Sequence, residues 1–69
     1  MAFADFTNLV EGFGFNLLRT RGSHHIYGHP QVSELVNIQD VKEQVKPYQA
    51  RQFLKLIERY NISLELDNE

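Results

Sequence analysis

Phe15-Asn16-Leu17-Leu18-Arg19-Thr20-Arg21-Gly22-Ser23-His24-His25-Ile26-Tyr27-Gly28-His29-Pro30-Gln31 holds two short apolar segments on either side of a glycine. Phe15 to Arg19 is short and apolar enough for a strand. Arg21-Gly22-Ser23 supplies a tight turn in which Gly22 takes a positive φ. His24 to Gly28 then reads as the returning strand. His29-Pro30-Gln31 closes it, because proline cannot donate to a sheet ladder. Glu34 to Ile38 gives a third strand, with Leu35 and Val32 expected to pack beneath the sheet. Connections this short make the three strands an antiparallel meander.

Helices flank this sheet on both sides in sequence. Phe6, Leu9, Val10 and Phe13 recur at helical spacing, which predicts a first helix over about residues 5–13. Asp5 is its expected N-cap, and Gly12 and Gly14 are its expected stop. Pro47 suits the first turn of a second helix, which runs to about Tyr60 with Asn61 as a left-handed cap. On that helix Ala50, Phe53, Leu54, Leu56, Ile57 and Tyr60 share an arc of about 160°. Arg51, Lys55 and Arg59 form a separate cationic stripe, with Tyr48 between them. Asp40 to Lys46 reads as a mobile loop, and Ile62 to Leu66 as a strand or a docked tail. The order α-β-β-β-α predicts an α+β fold, two helices on one face of a three-stranded sheet.

At 69 residues the chain is expected to be one domain, residues 1–69, with 61–69 as its tail. It has no cysteine, which removes disulfides and thiolate metal sites and fits a reducing compartment. No apolar run approaches the roughly 20 residues of a membrane span, so the expected location is the cytoplasm. The net charge is -2, but all seven Lys and Arg lie between Arg19 and Arg59. Four acids share that stretch, so the middle of the chain is basic and its ends acidic. Such a field can meet phosphates locally.

His24, His25 and His29 are the chain's three histidines. Neighbours on a strand face opposite ways, and His25 and His29 would sit roughly 13 Å apart, so no metal site and no cofactor is expected. Paired carboxylates in a cleft, a glycine-rich phosphate loop and a serine elbow are also missing. Acid–base chemistry by one imidazole is what the inventory allows. A histidine can take the proton of a ribose 2′-hydroxyl while nearby cations hold the phosphate. Composition alone still describes three surface histidines on a half-exposed sheet. Alternation puts His24 on the face of Ile26, which is expected in the core. That leaves two arrangements open: reorientation of His24 by the Gly-Ser turn, or a site on the sheet's rim.

The run Arg19-Thr20-Arg21-Gly22-Ser23-His24-His25-Ile26-Tyr27-Gly28-His29-Pro30, with Gly14-Phe15 before it, resembles the signature of the HicA (YcfA-like) toxins of toxin–antitoxin systems. Lys46-Pro47-Tyr48-Gln49-Ala50-Arg51-Gln52-Phe53-Leu54-Lys55, followed by Glu58-Arg59-Tyr60-Asn61, resembles the second helix of one subgroup. The similarity runs from about Leu9 to Glu65 in the same order of elements. One departure is the loop Asp40-Val41-Lys42-Glu43-Gln44-Val45, where family members usually carry glycine.

The resemblance implies a double-stranded-RNA-binding-like fold and a metal-independent mRNA interferase, with His24, directly after Gly-Ser, as the catalytic residue. It implies a HicB-type antitoxin as protein partner, covering the histidine. Arg19, Arg21, Lys46 and Arg51 are then the expected phosphate contacts. Tyr48 is the expected stacking residue, and Ser23 either makes the turn or orients His24. His25 or a water is the expected proton donor. The alternatives are a non-catalytic RNA-binding module or a degenerate toxin kept for antitoxin binding.

Overall fold

The computed structural model describes residues 1–65. Its elements are α1 (Phe3–Gly12), β1 (Asn16–Arg21), β2 (His24–His29), β3 (Val32–Gln39) and α2 (Pro47–Tyr60). The strands form one antiparallel sheet in the order β1-β2-β3. The expected α-β-β-β-α order and the meander are both present.

Gly22 and Ser23 join β1 to β2 in two residues, closing on the pair Arg21↔His24. Gly22 has φ 59°, and Ser23 stays out of the positive region, as in a type II′ hairpin. Pro30 and Gln31 make the second tight turn, closing on His29↔Val32. Each strand runs slightly longer than its apolar pattern, because turns this short let pairing begin at once.

The helices end in the same way. After α1, the Gly14 N–H donates to Glu11 O and the Phe15 N–H to Val10 O, with Gly14 at φ 92°. After α2, Asn61 N–H donates to Glu58 O and Ile62 N–H to Ile57 O, with Asn61 at φ 56°. Both are Schellman motifs, which satisfy carbonyls that the helix leaves open. The start of α1 differs from expectation. Ala2, not Asp5, is the N-cap, because Ala2 is held in a bridge with Gln44 and its carbonyl accepts from Phe6 N–H. Asp5 lies inside the first turn, where its charge suits the helix dipole.

Phe6 and Val10 of α1, Phe53 and Ile57 of α2, Tyr27, Val32 and Ile38 of the sheet, and Phe15 and Val45 form the core. Phe53 is its centre. Its ring meets those of Phe15, Phe6 and Phe13 edge-on, at centroid distances of 5.3, 5.6 and 5.7 Å. Leu35 and Leu54 are expected core residues that lie elsewhere. Leu35 is 53% exposed, since Val32, Val36 and Ile38 take the inner side of β3 and Leu35 falls on the other. Leu54, at the edge of the α2 arc, is also exposed.

Asp40–Lys46 is a built turn, not a loose loop. Val41 and Gln44 exchange both backbone hydrogen bonds around Lys42 and Glu43, which have φ 52° and 66°. Asp40 Oδ1 accepts from Glu43 N–H at 2.7 Å, and Val45 is buried. The tail from Ile62 to Glu65 docks without joining the sheet; Glu65 N–H donates to Gly12 O at 2.7 Å. Leu66, the last residue of the expected strand or tail, and the remainder of 66–69 lie outside the described residues.

Candidate active site

Cross-strand pairing sorts the side chains of the sheet onto two faces, and both helices take one of them. On β2, His25, Tyr27 and His29 face the helices: His25 lies 4.6 Å from the Phe3 ring, His29 lies 4.9 Å from Phe15, and Tyr27 is buried. Alternation leaves His24, Ile26 and Gly28 on the bare face. Ile26 is therefore not a core residue, and the conflict between its burial and an accessible His24 disappears.

A bulge decides what stands beside His24. Leu17 pairs with Tyr27, but the next pair is Arg19↔Ile26, so β1 carries one extra residue, Leu18. Unbroken alternation from Leu17 would have sent Arg19 and Arg21 toward the helices. The extra residue shifts the phase. Arg19 joins Ile26 and Arg21 joins His24 on the bare face. Leu18 itself lies over Gly28, close to Leu35.

Arg19, Arg21, His24, Ile26 and Asn37 line one open hollow of about 290 Å³. Among the described residues it contains two guanidinium groups, one imidazole and no carboxylate. Among the described residues neither arginine is in a salt bridge; the pair formed is Arg59–Glu34, at 2.9 Å. His24 is exposed, and its Nδ1 lies 3.0 Å from Asn37 Oδ1. A carbonyl oxygen can only accept, so in the neutral ring this contact is a hydrogen bond when Nδ1 carries the proton, the tautomer in which Nε2 has the lone pair. The hollow thus offers a base beside two fixed positive charges.

The remaining sequence-predicted residues are placed around it. Ser23 occupies the turn before His24; its carbonyl accepts from His25 Nδ1 and from Asp40 N–H, and its hydroxyl lies 3.5 Å from Gln39 Nε2. It makes no hydrogen bond to His24. His25 faces the helices, so it cannot donate a proton in the hollow. Lys46 is the N-cap of α2, and Tyr48 and Arg51 follow on that helix, all three exposed and outside the hollow's lining. The stripe is not uniform, because Arg59 is tied to Glu34. Tyr60 hydroxyl also donates to Glu34, and that bond above all, with Arg59 helping, holds the Glu34 carboxyl below its ordinary range. Tyr27 belongs to packing. Burial first, then the charge of Glu11, pushes its hydroxyl up.

Asn37 is not singled out by the sequence, and neither is Gln49, whose side chain donates to Asn37 C=O and accepts from Gln39 N–H. No sequence signal marks either, since both depend on the register of β3. Among the described residues no three His, Asp or Glu side chains converge as a metal site, and no helix is long and apolar enough to cross a membrane.

Comparison with known proteins gives one family. A model described as HicA toxin of bacterial toxin-antitoxin matches residues 3–58, from α1 almost to the end of α2. Neither the curated proteins nor the solved structures yield a match.

Proposed function

This chain belongs to the HicA toxin family, and on that premise we propose that it is the RNA-cleaving toxin of a toxin–antitoxin pair, with His24 as its general base. The observation that carries the reading is the shared hollow of His24, Arg19 and Arg21 on the bare face of the sheet.

The chemistry follows from that grouping. Nε2 of His24 takes the proton from a ribose 2′-hydroxyl. The 2′-oxygen attacks the adjacent phosphorus, and the bond to the 5′-oxygen breaks. Arg19 and Arg21 hold the phosphate while charge builds on its oxygens. With His25 on the other face, the leaving oxygen takes its proton from water. The products are a 2′,3′-cyclic phosphate and a 5′-hydroxyl. Two arginines neutralise the phosphate, so the step calls for no metal ion. Lys46, Tyr48 and Arg51 on α2 extend the contact surface for flanking nucleotides, and Ser23 shapes the turn that presents His24.

Membership of a toxin–antitoxin family implies an antitoxin partner. We assign it to the HicB type, acting in the cytoplasm where messenger RNA is found. The bare face is its seat, where Leu18 and Leu35 are exposed beside the hollow. Covering that face would shut RNA out.

Purified protein incubated with RNA in EDTA tests the reading. Cleavage with cyclic-phosphate ends is expected, falling about 10²–10⁴-fold in His24→Ala. RNA bound but uncut would leave a binding module. Cleavage undiminished by His24→Ala would remove the catalytic assignment.

A further inference from the structure

Among the described residues β3 is an edge strand, with β2 on one side and no strand on the other. Residues on such an edge lack the second ladder that would fix their backbone. Asn37 nevertheless has a bracket. The Gln49 side chain, on the first turn of α2, accepts from Gln39 N–H at 3.0 Å and donates to Asn37 C=O at 2.9 Å. One carboxamide thus supplies the donor and the acceptor that a neighbouring strand would have offered. Asn37 pairs with Ile26, and Gln39 pairs with His24, so Asn37 reaches His24 diagonally across the bare face.

We propose that Asn37 is a positioning residue that holds His24 in its Nδ1-protonated tautomer, and that Gln49 is the clamp that holds Asn37. The proposal rests on the reading of His24 as a base. An unrestrained neutral imidazole favours the proton on Nε2, the nitrogen that must be free to accept from the 2′-hydroxyl. The Asn37 carbonyl reverses this preference by accepting from Nδ1. Asn37 is itself exposed, so packing does not aim its amide; the fixed backbone does. The chain of support runs from Gln49 to the β3 backbone, to the Asn37 amide and so to the imidazole.

The ¹⁵N–¹H correlation pattern of the His24 ring distinguishes the two tautomers, and it requires no RNA. The wild type should show Nδ1–H. Asn37→Leu should revert to mainly Nε2–H and lose roughly 10–100-fold in kcat with KM nearly unchanged. Asn37→Asp keeps an acceptor at the same place. It should keep the Nδ1–H form and recover most of the rate, and it remains informative if Asn37→Leu does not fold. Gln49→Ala should shift the tautomer part of the way. An Nε2–H pattern in the wild type, or an Nδ1–H pattern that survives Asn37→Leu, overturns the proposal. If the tautomer responds as expected while His24→Ala still cuts RNA, the nuclease reading fails and the hydrogen bond stands.

Discussion

The sheet's two faces are made from alternate residues of the same three strands, yet they follow opposite rules. The inner face carries Tyr27, Val32, Val36 and Ile38 against two helices, and each is at least partly buried. The outer face carries Arg19, Arg21, His24 and Asn37 into solvent. Adjacent histidines show the division most sharply. His25 is half-buried against Phe3, whereas His24 is exposed in the hollow beside Arg19 and Arg21. A short chain can afford a polar, working face because it concentrates its apolar burial on the other.

The largest break in this arrangement should come from the inner side. Phe53→Ala removes the ring that three other phenylalanines meet, at a cost of about 3–5 kcal/mol. That equals most of the stability a domain of this size has, so the cooperative thermal transition should disappear. The histidines offer the cleanest contrast between the faces. His24→Ala should lose cleavage, as above, at an unchanged melting temperature. His25→Ala should keep cleavage and lose about 1 kcal/mol of stability, read from urea unfolding. Equal loss of activity in both variants would mean that the faces are not separate.

The tight turns repeat the contrast on a smaller scale. Gly22 occupies a left-handed position at no steric cost, while Lys42 and Glu43 occupy two such positions with full side chains. Glu43→Gly should therefore raise stability by up to about 1 kcal/mol, seen as a higher urea midpoint at an unchanged slope. The smallest effect is expected at the rim, where Glu34 accepts from Tyr60 and Arg59. A carboxyl held below its ordinary range stabilises the fold above that range, and the benefit fades as acid protonates it. Tyr60→Phe should lower the melting temperature slightly at neutral pH. The difference from wild type should close on acidification; a constant gap would show that Glu34 is not responsible.

The order of elements could be read from the sequence because each element carries its own signal. Phe6, Val10, Phe53 and Ile57 have helical spacing, Gly22 marks a turn, and Asn61 marks an ending. The face of each strand was harder. Alternation groups His24 with Ile26 correctly but does not say which face meets the helices, and the core took Tyr27 instead of Ile26. Nothing in Leu17-Leu18-Arg19 announces an extra residue, so the phase of the arginines is not legible either. The site was readable in part. His24, Arg19 and Arg21 stood out by their chemistry, and their meeting depends on the bulge. Asn37 and Gln49 are ordinary amides whose importance comes from register across distant parts of the chain. The 40–46 turn looked loose because Lys42 and Glu43 are poor turn formers, and tertiary contacts outweigh their preference.

The Gln49 amide has a consequence outside catalysis. It occupies the slot where an incoming fourth strand would lay its first peptide unit. Another polypeptide could extend the sheet at that end only by first prising the side chain away. A single counterfeit peptide bond thus guards the border beside the hollow against zipper-like association between copies.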